Sequence, residues 1–146
     1  MTKVVIYTDG ACKGNPGPGG WAAILSYGDH QKSISGYEEN TTNNRMEISA
    51  AVEALKILSR ACHVDIFTDS QYLKNGMTAW IYNWRKNGWL SADKKPIKNQ
   101  DLWKVLDELS QKHKINWHWV KAHNGDVMNE QVDALARQAI ESAREV

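Results

Sequence analysis

A chain of 146 residues, 42% hydrophobic and 24% charged, has the size and composition of one globular domain spanning 1–146, large enough to bury a real core. A net charge of +1 announces no partner, and two cysteines, Cys12 and Cys62, without a leader segment fit reduced thiols in the cytoplasm better than a disulfide framework or a zinc site. No apolar run is long enough for a signal peptide or a membrane span, so membrane functions are excluded.

In chain order, "KVVIYTD" alternates, with Val4, Ile6 and Thr8 on one face and Val5, Tyr7 and Asp9 on the other, and it reads as a strand ending in a carboxylate. It runs into "GACKGNPGPGG". A phosphate-binding P-loop would need Lys and then Ser or Thr after the last glycine, where the chain has Trp21. Gly17 to Ala22 matches G-x-G-x-x-A, but no strand ends just before it and "WAAILSY" is too short for a crossover helix, so a dinucleotide site is rejected. "GWAAILSYG" and "HQKSISGYEE" read as two strands joined at Gly28-Asp29. "TTNNRMEISAAVEALKILSRA" is a helix with cap candidates at Thr42 to Asn44 and Glu47 three residues after Asn44.

"VDIFTDS" is the fourth strand, followed by short helices through "SQYLKNG" and "TAWIYNWRKNG" and a loop, "LSADKKPIKN". "QDLWKVLDELSQKH" is a helix whose apolar stripe is Leu102, Val105, Leu106 and Leu109. "INWHWV" is a fifth strand, and the chain closes with a helix whose stripe is Val132, Leu135, Ala136, Ala139, Ile140 and Ala143. Three early strands followed by αβ alternation predict an α/β fold: a mixed sheet with helices on both faces.

Charge is unevenly spread. From Lys74 to Lys98 six basic residues face one acid, Asp93, which leaves 12 basic and 16 acidic residues elsewhere; a segment of +5 sits on a body of −4. Trp80, Trp84 and Trp89 lie within it. Aromatic rings among lysines are how nucleic-acid surfaces are built, through stacking or sugar contact plus phosphate neutralisation. A solvated helix face is the plainer alternative, and Trp80 and Trp84, four apart, could equally be buried packing.

Acids carry the chemistry. "VVIYTDG" and "VDIFTDS" share one frame, so Asp9 and Asp69 end their strands in the same phase. On neighbouring parallel strands both carboxylates emerge at the strand ends where α/β sheets place ligands. Glu47 extends an apolar helix row through Ala51, and Asp133 flanks the last helix's stripe beside Val132. Taken singly, each has an ordinary role: turn former for Asp9, capping-box acid for Glu47, helix cap for Asp69, first-turn acid for Asp133. Together, four converging carboxylates require a cation, and an all-oxygen set selects Mg2+ or Mn2+ over zinc. A pair of such ions suits phosphodiester hydrolysis, with His123 in "KAHNGD" as a nearby proton carrier or an exposed loop histidine.

The motifs "YTDGACKGNPGPGG", "TTNNRMEI", "TDSQYLKNG", "WIYNWRKNGW", "ADKKPIKNQDLW" and "DALAR" resemble, in order and spacing, the bacterial type 1 ribonuclease H family. The resemblance covers the chain end to end. It implies the ribonuclease H-like fold with a five-stranded mixed sheet, and an endoribonuclease that cuts the RNA strand of RNA–DNA hybrids, leaving 5′-phosphate and 3′-hydroxyl ends. The family's metal ligands fall on Asp9, Glu47, Asp69 and Asp133, for two Mg2+ ions that Mn2+ can replace, and its assisting histidine falls on His123. Its minor-groove contacts fall on Cys12, Asn15, Asn43, Asn44 and Gln71, its phosphate contact on Thr42, and its aromatic channel on Tyr72, Trp80 and Trp84. Lys86, Trp89, Lys94 and Lys95 belong to its basic protrusion, at about 78–98. A cytoplasmic monomer with no obligatory protein partner is implied, and a non-cleaving hybrid-binding module of the same fold is the alternative. The chain departs from the family at Ala122, where glycine is usual, and at Asn124, Asp126 and Gln131, with the spacing from His123 to Asp133 kept.

Overall fold

A computed structural model describes residues 1–144. Five strands form one sheet: β1 (Thr2–Cys12), β2 (Gly17–Tyr27), β3 (His30–Thr41), β4 (Cys62–Thr68) and β5 (Lys114–Trp119). Their order is β3-β2-β1-β4-β5. The β1–β2 and β2–β3 pairs are antiparallel, whereas β4 lies parallel to both β1 and β5. This is the mixed sheet expected from three hairpin-connected strands followed by crossover helices.

The helices are α1 (Asn43–Lys56), α2 (Gln71–Asn75), α3 (Ile81–Lys86), α4 (Gln100–Ser110) and α5 (Val127–Arg144). A π-helical turn, Gly76–Trp80, joins α2 to α3. One face of the sheet buries Val4, Ile6, Val64 and Ile66 against Ile48, Leu55, Trp103 and Leu106 of α1 and α4. On the other face, Ala22 and Ile24 meet Val132 and Ala136 of α5. Among the described residues no helix is long and apolar enough to cross a membrane.

Four expectations need correction. β1 does not end at Asp9: it continues to Cys12, because Gly10, Ala11 and Cys12 keep pairing with Trp21, Gly20 and Gly19 of β2. β2 accordingly begins at Gly17, earlier than the apolar run indicates. α1 stops at Lys56, five residues short of the predicted end. In α4 the buried face is Trp103, Leu106 and Asp107, while Val105 is 37% exposed. Asp107 is tolerated there because Arg85 of α3 donates to it through Nε at 3.0 Å and through Nη2. A salt-bridged acid hides from any hydrophobic periodicity.

Candidate active site

The parallel register of β1 and β4 sets Tyr7 against Phe67 and Thr8 against Thr68, the last pair of the ladder. Asp9 and Asp69 follow in matched phase. Beyond this point β1 pairs with β2 alone, and the two carboxylates come together where the β1–β4 ladder ends. Indole Nε1 of Trp119 donates to the Asp69 carbonyl at 3.1 Å, and Val120 N donates to Thr68 O at 2.9 Å, pinning the end of β4.

Gly10 brings Glu47 to this point. A Cβ at residue 10 would lie 2.5 Å from Glu47 N and 2.6 Å from the Met46 carbonyl carbon, so only glycine lets α1 rest on β1 this closely. The helix starts where Thr42 Oγ1 accepts from Arg45 N at 3.2 Å. Counted from that cap, Glu47 lies beyond the capping-box position, so its capping role is excluded. Asp69 is likewise no cap, because Ser70 accepts from Leu73 N at 3.0 Å and starts α2. Asp126 accepts from Asn129 N at 3.0 Å at the start of α5, which puts Asp133 in the second turn of that helix, not the first.

The carboxylates of Asp9, Glu47 and Asp69 each offer an oxygen, and these oxygens lie within 4.8 Å of one another. Asp9 and Glu47 are 3% and 4% exposed. Burial first, and then the charges of Glu47 and Asp69, push the Asp9 carboxyl up from its ordinary 3.8 to about 11. Burial followed by the charge of Asp69 raises Glu47 well above its usual value. Glu47 Oε1 is buried without a hydrogen-bond partner. An orphaned carboxylate oxygen within an all-oxygen cluster fits a hard divalent cation such as Mg2+ or Mn2+. Asp133 lines the same groove, about 390 Å³ in volume, and its Oδ2 is paired with Arg137 at 3.1 Å.

The other sequence-predicted residues divide by location. Asn43, Asn44, Gln71 and Tyr72 line this groove. Asn15 lies beside them, its Oδ1 accepting from Asn43 N at 2.8 Å. Cys12 directs its thiol inward, to Thr41 O at 3.4 Å and Gly17 O at 3.6 Å. Thr42 spends a lone pair on its cap and keeps its hydroxyl proton. His123 is exposed in the loop before α5, at φ 55°, outside the groove's lining.

From Tyr72 an aromatic run leads away: Tyr72–Trp80 at 5.6 Å between centroids, Trp80–Trp84 at 6.0 Å and Trp84–Trp89 at 6.0 Å. Trp80 is 40% exposed, whereas Trp84 and Trp89 are half-buried. Trp80 is therefore a surface ring, and buried packing fails for it. Trp84 is anchored on Trp103, with centroids 5.2 Å apart. The ring run ends at a loop closed by the Leu90–Pro96 bridge and by Ser91 N donating to Lys95 O at 2.7 Å. Lys86, Lys94 and Lys95 are exposed around it.

Residues that sequence patterning missed include Arg45, Asn99 and Trp119. Arg45 donates to both carboxylate oxygens of Asp101, at 3.0 and 2.7 Å, and to Asn99 Oδ1 at 3.3 Å, linking α1 to the start of α4. Asn99 stands just before α4 at φ 62°, a left-handed conformation asparagine tolerates, and that was the one signal available.

Among known proteins, the family described as "RNase H" matches residues 1–141. "Ribonuclease H" of Rhodopseudomonas palustris (strain BisB5) is 57% identical over 144 residues, covering 99% of this chain and 96% of that protein. The crystal structure of LC9-RNase H1, described as a type 1 RNase H with the type 2 active-site motif, superposes with a TM-score of 0.89 at 30% identity, over 97% of this chain and 74% of that one. A foamy viral protease-reverse transcriptase in complex with RNA/DNA hybrid matches with a TM-score of 0.72 at 26% identity, covering 97% of this chain and 20% of its own.

Proposed function

Taking as premise that the chain belongs to the RNase H family, we propose that it is an endoribonuclease hydrolysing the RNA strand of RNA–DNA hybrids and leaving 5′-phosphate and 3′-hydroxyl ends. The observation that carries the proposal is the cluster of Asp9, Glu47 and Asp69 with its orphaned Glu47 oxygen, set in a groove that continues through Tyr72 onto exposed Trp80.

Asp9, Glu47, Asp69 and Asp133 are the groups that would hold the divalent ions, with Asp133 exchanging its Arg137 partner for a cation. When bound, a pair of Mg2+ ions, or Mn2+ in their place, lowers the pKa of the attacking water and neutralises charge on the leaving oxygen. The protein's part is positioning. Asn43, Asn44 and Gln71, with Asn15 and Cys12 behind them, face the minor groove, where a 2′-hydroxyl distinguishes an RNA strand from DNA. Tyr72, Trp80 and Trp84 lie against deoxyribose, where a 2′-hydroxyl has no room. Thr42 offers its free proton to a phosphate. Lys86, Lys94 and Lys95, with Trp89 shaping their loop, supply the charge that draws in the backbone. His123 carries a proton to or from the reacting phosphate by swinging over the groove. The protein acts as a monomer.

The related structure bound to an RNA/DNA hybrid supports the choice of ligand. A hybrid-binding module without cleavage would gain nothing from burying two carboxylates beside a third that repels them. Incubating a labelled RNA–DNA hybrid with Mg2+, Mn2+, Ca2+ or chelator, beside all-DNA and all-RNA duplexes, tests the proposal. Cutting of the RNA strand in the hybrid alone, with Mg2+ or Mn2+, is the expected result. Binding without cutting under every metal would refute it.

A further inference from the structure

Of the four carboxylates at the site, Asp69 alone lies outside a strand or helix, in the single step between the end of β4 and the cap of α2. The last pair of the β4–β5 ladder is Thr68 with Trp119, so the Asp69 carbonyl has no ladder partner. The peptide unit joining Asp69 to Ser70 is planar, and it is held at both ends by side chains. Its N–H, on Ser70, donates to Thr68 Oγ1 at 3.0 Å. Its C=O, on Asp69, accepts from Nε1 of Trp119 at 3.1 Å, and an indole only donates. The plane of that peptide sets ψ at Asp69, and with it the direction in which the carboxylate leaves the chain. Left free, the carboxylate would turn outward, because buried Asp9 and Glu47 place oxygens within 4.8 Å of it and like charges repel at that range. Trp119 is 41% exposed and does not line the groove, so neither core filling nor substrate contact accounts for its place.

We propose that Trp119 is a positioning residue for the divalent-metal site, its indole N–H holding the Asp69 carboxylate in the cluster against the charges of Asp9 and Glu47. This assignment rests on the metal-binding reading of those carboxylates. Trp119 touches neither the metal nor the substrate; it acts through the Asp69 backbone, so its effect falls on metal affinity. A ligand already in place need not be gathered when the ion arrives. Groups that orient metal ligands from behind are worth about 10- to 100-fold in affinity, and a bond to one carbonyl from a part-exposed ring belongs at the lower end, about tenfold.

The test is Mg2+ binding to the metal-free protein, measured calorimetrically. Trp119→Phe keeps an aromatic ring and removes the donor; it should bind Mg2+ about tenfold more weakly than the parent. The Mg2+ concentration for half-maximal cleavage should rise by about the same factor, while kcat at saturating Mg2+ falls less than about threefold. Benzothienylalanine at position 119, with sulfur replacing the N–H inside the same ring outline, should reproduce the loss, and it is the variant to read if Trp119→Phe melts early. Asp65→Ala breaks a different side-chain tie between β4 and β5, the 2.8 Å contact of Asp65 Oδ1 with His118 Nε2, and leaves Asp69 alone. It should bind Mg2+ as the parent does. Unchanged Mg2+ affinity in both Trp119 variants, or an equal loss in Asp65→Ala, overturns the assignment. If the parent binds no Mg2+ at all, the metal-binding reading itself falls.

Discussion

Replacing Asp9 by asparagine in protein stripped of divalent ions measures what the carboxylate cluster costs the fold. Two unit charges at 4.8 Å, the bound on the separations here, repel by about 3.5 kcal/mol at an effective dielectric near 20. An independent route gives a similar figure. A carboxyl with an ordinary value of 3.8 that must be protonated to fold at pH 7 crosses roughly three pH units at about 1.36 kcal/mol each, about 4 kcal/mol. The two are alternatives, since taking up the proton removes the repulsion, and both are ceilings because the side chains relax. With half of the ceiling realised, Asp9→Asn gains about 2 kcal/mol, or about 4–8 °C in Tm for a chain of this size. The folded value of Asp9 lies above the unfolded one, so its contribution to stability is full below about pH 4 and drains away as pH rises. The variant's advantage should therefore be small at pH 4 and large at pH 7 to 9, and added Mg2+ should stabilise the parent alone. Thermal melts in chelator across this range decide the matter. An unchanged or lower Tm at pH 7, or a gap that does not narrow toward pH 4, would refute the reasoning.

Changing Lys86, Lys94 and Lys95 together to alanine should weaken hybrid binding and flatten its salt dependence by about 0.7–0.9 in slope for each phosphate left without its lysine, as titrations between low and moderate salt would read. His123→Ala should lower kcat about 100-fold while leaving hybrid affinity in chelator unchanged, since the His123 side chain is not part of the groove's lining. Gly10→Ala would drive a methyl group against Glu47 N, so it should destabilise the chain by about 1–3 kcal/mol and spread the carboxylates, lowering Mg2+ affinity measured calorimetrically.

The repeated frame of β1 and β4 made the pairing of Asp9 with Asp69 legible from sequence, because a parallel ladder preserves phase. Glu47 and Asp133 were legible only in company, each having an ordinary helix-end role; the observed caps, Thr42 and Asp126, remove those roles. What stayed hidden depends on partners distant in sequence. β1 overruns its apolar stretch because β2 offers Gly19 and Gly20 as neighbours. α4 turns Asp107 inward for Arg85, 22 residues away. Arg45 reads as one more polar residue near a helix start until Asp101 and Asn99, more than 50 residues on, are seen beside it.

The loop bearing His123 is tied down at Val120, which donates to Thr68 O, and at Asp126, which caps α5. Between these ties, residues 121–125 make no side-chain hydrogen bond or ion pair among the described residues. The imidazole thus resembles a solute molecule confined to the small volume a five-residue leash can sweep. Such leashes hold their cargo at an effective concentration of the order of millimolar or above. Local abundance, more than fixed aim, is what this segment would bring to the proton transfer proposed for His123. On the same logic, tens of millimolar free imidazole should restore part of the turnover lost in His123→Ala, with nothing attached to the chain at all.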